Sequence, residues 1–423
     1  MAKTALVIGG GLIGVSTAWY LAERGVAVTL LEQREATALE TSFANGGLIT
    51  PSQSDPWNGP GTLTHLLRWL GREDSPLLLR PRALPGMWRW GLKFLWASRA
   101  ASWWQATEAN LRLGLYSAAA LAALREQLGL RYDSLNAGTL KVFRDNYAFE
   151  RSAALAASLA PSGLVHRLLS PPEAVGLEPL LKSMAGQLAG AIHYPLDASG
   201  DAHAYTRALE ERARSAGVRF LLGTEVRRLE ARKRRIEAAV TTGGSVSADS
   251  YVLAAGTASP ALAAPLGMQL PMYPVKGYSV TLPIRAGRRN LAVPLVDFEQ
   301  KIVLTPLGDR LRIAGTAEFN GFDRSLNPRR GANMLKNALA LVPEMAEESG
   351  EIQAEYWTGL RPMTADGPPI LGATPYGNLF LNTGHGPLGW TLGAGSGRVV
   401  ADLVTGRVPE IDLAGLDYAR YRH

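Results

Sequence analysis

The apolar run Ala5-Leu6-Val7-Ile8 opens into Gly9-Gly10-Gly11-Leu12-Ile13-Gly14, and Glu32 closes a second apolar run, Val26-Ala27-Val28-Thr29-Leu30-Leu31. This spacing commits the N-terminal segment to a strand–helix–strand unit that binds a dinucleotide. Gly9 permits the tight turn, Gly11 lets bare backbone approach a pyrophosphate, and Gly14 lets the helix pack closely on the strand. The phosphates belong at the helix N-terminus, where free N–H groups and the helix dipole favour an anion. Glu32 can accept hydrogen bonds from both hydroxyls of an adenosine ribose and would repel a 2′-phosphate. NADP is thereby disfavoured, while NAD and FAD both remain. A bare glycine-rich turn is the competing reading, but Val15, Ala18, Trp19, Leu21 and Ala22 keep a helical period, and Arg24-Gly25 supplies a helix end.

At 423 residues, with 47% hydrophobic and 19% charged side chains, the chain reads as globular and long enough for two domains. It contains no cysteine. Disulfides, thiolate metal sites, cysteine nucleophiles and a cysteinyl-flavin link are therefore excluded. The histidines, His65, His166, His193, His203, His385 and His423, are scattered without ligand spacing, so no metal is expected. Met1-Ala2-Lys3 leads straight into the first strand without a signal-peptide pattern, and no stretch of 18 apolar residues occurs. The expected location is cytoplasmic, with peripheral contact at the inner face of the cytoplasmic membrane.

That contact is suggested by residues 57–104, which carry seven Arg or Lys against Glu73 and Asp74 and hold seven of the ten tryptophans, among them Trp57, Trp69, Trp90 and Trp104. Trp88, Leu92, Leu95, Trp96 and Trp103 are expected to line one helical face, with Arg89 and Lys93 to the side. Such a surface suits an anionic bilayer. The plainer alternative is packing of large aromatics against the second domain. Nucleic acid is not an expected partner, since no recognised binding motif accompanies the charge.

Further along, 56–130 reads as mostly helical with breaks at its prolines. A strand pattern around 138–143 precedes helices at 147–160 and 203–216. A strand pattern at 218–222 is followed by a buried strand at 251–256, alternating strands at 275–284, 301–305 and 311–316, and a last helix over 389–404. The last helix follows Gly384-His385-Gly386, so its N-terminus can stabilise negative charge on a reduced flavin. That second turn favours FAD over NAD.

Five motifs together make the chain resemble bacterial FAD-dependent D-amino acid dehydrogenases, within the glycine oxidase and D-amino acid oxidase superfamily. They are Gly9–Gly14, Leu39-Glu40-Thr41-Ser42-Phe43-Ala44-Asn45, Tyr273-Pro274-Val275-Lys276-Gly277-Tyr278-Ser279, Trp357-Thr358-Gly359-Leu360-Arg361-Pro362-Met363-Thr364 and Asn382-Thr383-Gly384-His385-Gly386. The resemblance implies a Rossmann-like α/β FAD-binding domain, discontinuous over 1–55, 195–265 and 355–423. An α+β substrate-binding domain on a large antiparallel sheet would take 56–194 and 266–354. The cofactor would be held by Gly9, Gly11, Leu12, Ile13, Gly14, Glu32 and Gln33, and by the loop Thr41, Ser42, Ala44, Asn45, Gly46, Gly47 and Leu48. Val226, Ala255 and Gly256 would add to it, with Arg361, Gly384, His385, Gly386, Leu388, Gly389, Trp390 and Thr391 at the other end.

Arg361 matches the superfamily arginine that pairs with a substrate carboxylate, a task that suits a planar, permanently charged guanidinium. A structural tie to Asp366 is the alternative. Tyr278 could offer its hydroxyl to the same carboxylate, Lys276 could touch the flavin or a water, and His385 could contact flavin or pocket. The implied reaction is oxidative deamination of a D-amino acid, with hydride passing from Cα to flavin N5 and electrons leaving to a quinone or other respiratory acceptor. No general base is demanded if the free amine reacts. Oxidation of glycine or of a cyclic or N-methyl amino acid (D-proline, hydroxyproline, sarcosine) is the rival within the class. A flavin-containing membrane-surface protein without turnover is the rival outside it.

Overall fold

The computed structural model describes residues 3–61, 73, 75–285, 287–346 and 354–421; His65, Trp69, Asp74 and His423 lie outside them. The opening apolar run forms the strand Thr4–Ile8, central in a six-stranded sheet ordered Ile370–Ala373, Leu379–Thr383, Ser250–Leu253, Thr4–Ile8, Ala27–Leu31 and Arg219–Leu221. Neighbours are parallel except at the Ile370–Ala373 edge. A parallel sheet covered on both faces needs strands apolar throughout. The strand Ser250–Leu253 is accordingly buried at every position.

The helix Leu12–Glu23 is set by the glycines. Gly11 caps it in extended backbone, and Gly25, at φ +77°, turns the chain into the next strand. Leu21, Leu30 and Val399 are fully buried in the shared core, each contributing about 1.5–3 kcal/mol of transfer free energy. Leu12–Glu23 packs on Gly389–Val404, and this in turn on Ala100–Leu128, at glycine contacts. An added Cβ at Gly393 would fall 2.0 Å from Leu12, one at Gly395 2.7 Å from Ser117, and one at Gly397 3.0 Å from the Ser16 backbone. The last helix is thereby clamped behind the dinucleotide turn.

The second sheet runs Glu355–Thr364, Met272–Pro283, Arg310–Phe319, Ile302–Leu307, Leu295–Asp297, Thr139–Phe143, Gly190–Tyr194 and Arg167–Leu169, with Leu77–Leu79 beside Arg310–Phe319. It is antiparallel apart from two pairings, Leu295–Asp297 with Thr139–Phe143 and Leu77–Leu79 with Arg310–Phe319. The strand Leu77–Leu79 was not legible in a region dominated by helix formers, because tertiary pairing overrides propensity in so short a segment. Residues 355–364, grouped by sequence with the dinucleotide segments, form an edge of this larger sheet.

Helices occupy Leu84–Ala97 and Ala100–Leu128, broken by the extended backbone of Arg99. Met87, Trp90, Phe94 and Ala97 turn inward, while Leu84, Trp88, Leu92, Leu95 and Trp96 are exposed. The expected apolar stripe is therefore present except for Trp103. That residue starts the next helix and points inward, donating its Nε1–H to the Pro56 carbonyl at 3.0 Å.

A Cβ at Gly14 would lie 1.8 Å from the Gly9 carbonyl oxygen. Gly14→Ala is expected to force helix and strand apart, costing about 1–3 kcal/mol as overpacking does. A urea midpoint equal to that of the parent would contradict it.

Candidate functional site

Between the two sheets lies a cleft of about 1630 Å³. Its dinucleotide end is made by the first turn. Gly9, at φ +113°, could not carry a side chain, since a Cβ would meet the Ala254 carbonyl oxygen at 2.4 Å. Gly11 differs: a Cβ there would meet only the Ser42 hydroxyl, at 3.5 Å. Its bare backbone faces the cleft, backed by Ser42, whose Oγ accepts from the Leu12 amide at 3.1 Å. A pyrophosphate could therefore approach the first-turn N–H groups without displacing a side chain.

Glu32 lines the same end. Its carboxylate accepts from the Gly10 amide at 2.6 Å and the Arg34 amide at 2.8 Å, so it braces the turn as well as facing the cleft. Burial raises its pKa, opposed by those two amides. Gln33, the loop Thr41, Ser42, Ala44–Leu48, and Val226, Ala255 and Gly256 also line the cleft, as do Gly384–Gly386 and Leu388–Trp390.

Two residues named for the cofactor do not line it. Gly14 is spent on helix–strand packing, and Thr391 turns away so that its Oγ1 accepts from the Thr50 amide at 2.9 Å. His385 is buried, its Nε2 sits 3.0 Å from the Ser396 hydroxyl, and burial lowers its pKa to about 3. It is a neutral imidazole at any working pH.

Arg361 stands on Glu355–Thr364, opposite Val275 in the register that also pairs Gly277 with Gly359. An added Cβ at Gly277 would fall 2.4 Å from its guanidinium carbon. The missing side chain of Gly277 is thus the space that Arg361 occupies. The guanidinium donates to the Thr316 carbonyl at 3.0 Å and lies 5.5 Å from the centre of the Trp57 ring. Burial pulls its pKa down to about 10, which leaves it a cation. The alternative tie to Asp366 is absent, because Asp366 is taken by Arg420 at 2.7 Å. Among the described residues no carboxylate pairs with Arg361. A cation set into a protein wall without an anion is costly, and a ligand carboxylate would relieve it.

The other two polar candidates are committed elsewhere. Lys276 does not line the cleft; its ammonium donates to the Ser325 carbonyl at 3.0 Å and lies 3.5 Å from Glu318. Tyr278 lines the cleft but donates its hydroxyl to Glu318 at 2.5 Å, and burial, reinforced by that carboxylate, raises its pKa. The register that sets Lys276 opposite Glu318 in the strand Arg310–Phe319 accounts for where its ammonium is held.

Sequence reasoning missed Thr316, Lys141 and Lys301, all on the cleft wall. Thr316 and Lys301 have left-handed backbone, at φ +53° and +54°, which no sequence pattern reveals. Lys141, alone among apolar neighbours in Thr139–Phe143, was a legible signal.

The two ends of the cleft suit FAD. Bare glycine backbone, a helix N-terminus and Glu32 form one end, and the N-terminus of Gly389–Val404 forms the other, with the Asn382 Oδ1 buried and unpartnered beside it. Comparisons with known proteins agree. Residues 4–403 match the family model described as FAD dependent oxidoreductase. The chain is 47% identical over 417 residues to a D-amino acid dehydrogenase of Paramagnetospirillum magneticum, covering 98% of each, and 41% identical over 418 residues to one of Bradyrhizobium diazoefficiens, covering 99% of each. Among solved structures it resembles glycine oxidase from Geobacillus kaustophilus at 26% identity and a TM-score of 0.78, covering 99% of this chain and 98% of that one.

Gly277→Ala pushes against the mobile end of a side chain, so little folding cost is expected, while the guanidinium must leave its place. Affinity for a small carboxylate should fall by about tenfold or more, the weight of one charge-assisted hydrogen bond. Unchanged carboxylate binding, read from the flavin spectrum, would refute this use of the space. With cleft, cofactor ends and full-length matches in accord, the chain belongs to the FAD-dependent oxidoreductase family of D-amino acid oxidase type and is a flavin enzyme.

Proposed function

We propose that this enzyme oxidises D-amino acids to imino acids, which water converts to 2-oxo acids and ammonia. The single observation that carries the reading is Arg361, a cation in the cleft wall whose nearest polar partner is a carbonyl rather than a carboxylate. Full-length similarity to proteins named D-amino acid dehydrogenase supports the choice of substrate class. The geometry is consistent with a division into an FAD-binding body and a substrate-binding body, with the strand Glu355–Thr364 joined to the latter.

Bound FAD supplies a two-electron acceptor. The side chains supply placement. Arg361 grips the α-carboxylate, and with Gly277 and Thr316 holding the guanidinium, the rest of the substrate is confined to one approach. His385, neutral and bonded to Ser396, and Tyr278, bonded to Glu318, are poorly placed to take a proton from the substrate. The amine therefore reacts as the free base. The substrate loses two electrons and two protons in forming the C=N bond.

Anaerobic addition of D-alanine should bleach the flavin band near 450 nm, while L-alanine should not. Bleaching by D-proline or sarcosine alone would transfer the reading to cyclic or N-methyl substrates. In Arg361→Ala, kcat/KM should fall on the order of 100-fold, as expected for losing a buried charged contact. Kinetics equal to those of the parent would remove Arg361 from this role.

We further propose that electrons leave to a quinone at a membrane surface. No described helix is long and apolar enough to cross a membrane. The exposed stripe of Leu84–Ala97 supports surface contact instead, with Arg89 over the Trp88 ring at 5.1 Å and Arg99 over the Trp96 ring at 4.6 Å. Indoles at headgroup depth with adjacent cations suit an anionic bilayer. The protein should float with anionic vesicles, and Trp88→Ser/Trp96→Ser should remain in the dense fraction. Equal behaviour of parent and variant would assign the stripe to another use.

A further inference from the structure

Arg361 is not the only unpaired cation in the cleft. Lys141 and Lys301 also line it. Their ammonium groups flank a single ring, lying 5.1 Å and 3.5 Å from the centre of Phe298. Neither makes a hydrogen bond or an ion pair among the described residues. Lys301 is an exposed residue of the cleft wall, and the pKa of its ammonium is drawn down to about 8 by the desolvation of its surroundings and by repulsion from Lys141. Like charges brought together in this way destabilise each other unless an anion joins them.

The acids nearby are mostly occupied. Asp297 and Glu299 are held by Arg144, at 2.6 Å and 3.3 Å, and Asp145 accepts from the Ala148 amide at the start of the helix Asn146–Leu159. Asp197 is buried and bonded to Ser52 and Thr139, both through its carboxylate. Asp55 attracts both lysines from beyond ion-pair distance. Asp55 thus acts on both lysines, Asp197 on Lys141, and Glu299 and Asp297 on Lys301, none of them as an ion pair with either lysine among the described residues.

These groups are continuous with Arg361. Lys301 immediately precedes Ile302, which pairs with Gly315, and Thr316 follows Gly315 in the opposing strand. The Thr316 carbonyl holds the Arg361 guanidinium, and its Oγ1 is buried without a partner. Thr316 and Lys301 are both non-glycine residues at positive φ. Strain of this kind persists where surrounding structure enforces it, and it gathers at ligand sites. Arg361, Thr316, Lys301 and Lys141 therefore share the cleft wall, which Asp55, Asp297 and Glu299 also line, and the Thr316 hydroxyl is buried without a partner.

We infer that this wall holds a second carboxylate, so that a D-amino acid with an acidic side chain binds with its α-carboxylate on Arg361 and its side-chain carboxylate at Lys301 and Lys141. The inference rests on the carboxylate role of Arg361 and extends it to side-chain preference. Titrating the FAD-loaded enzyme with glutarate and with pentanoate, followed by the flavin spectrum, needs no turnover. Glutarate should bind about tenfold more tightly or better, the weight of one added charged hydrogen bond. That ratio should collapse towards one in Lys301→Met and Lys141→Met and survive in Lys301→Arg. In turnover, the kcat/KM ratio of D-glutamate to D-glutamine should fall in the same two methionine variants.

Equal binding of glutarate and pentanoate by the parent enzyme would overturn the inference, even if a variant failed to fold. So would a ratio indifferent to both lysines. Failure of D-alanine to bleach the flavin would instead count against the underlying reaction, and the two failures are read from different ligands.

Discussion

A guanidinium left without a carboxylate is the constraint around which the rest of the site is arranged. Arg361 is held by a carbonyl, by the ring of Trp57 and by the space that Gly277 leaves open. The neighbouring buried cations are treated differently. Glu318, itself almost inaccessible, accepts from Arg80 at 2.9 Å and from Tyr278, and lies 3.5 Å from Lys276 and 3.9 Å from Arg330. Its pKa is lowered because these donors and cations outweigh the desolvation that would raise it. Glu318, together with Glu73 on Arg80 and Asp323 near Lys276, answers the cations behind the strand Met272–Pro283. Among the described residues no carboxylate reaches Arg361. The contrast is between an arginine that lines the cleft and cations behind it that carboxylates reach.

The cofactor half depends on close backbone approach rather than charge. Gly9 and Gly14 bring strand and helix together, and Gly393, Gly395 and Gly397 bring the last helix against the first and against Ala100–Leu128. Two helix N-termini consequently open on one cleft although they begin at Leu12 and Gly389, near opposite ends of the chain. The fully buried core around Leu21, Leu30 and Val399 fixes that relation. Glu32, tied to the Gly10 amide, ties the second strand to the turn it serves.

Much of this was legible in the sequence. The turn from Gly9 to Gly14, the acid at Glu32 and the helix over 389–404 follow from residue type and spacing, because those features act through local backbone rules, whereas Arg361 was singled out by the resemblance of its motif. Lys276 and Tyr278 show the limit. Both sit in a motif that pointed to the site, yet Glu318 claims them from across the sheet, a pairing forty residues away for Tyr278. The stripe of Leu84–Ala97 was legible as a helical period, but Trp103 was not part of it, since the extended Arg99 starts a new helix with a new phase.

By itself the sequence determined that the chain would build a dinucleotide turn and would carry no thiol chemistry, while its resemblance to a family singled out an arginine whose permanent charge suits a carboxylate. Those properties reside in glycine's freedom, in composition and in the permanent charge of a guanidinium. Only the tertiary structure decided which cations stay unpaired. Thr316 and Lys301 take left-handed backbone where two strands meet, Lys141 arrives from a strand that joins the sheet through Leu295–Asp297, and all three reach the wall that Arg361 begins. The reason is physical: a charge is paired or unpaired according to what long-range strand pairing brings within a few ångströms, and that distance is not written in any local pattern.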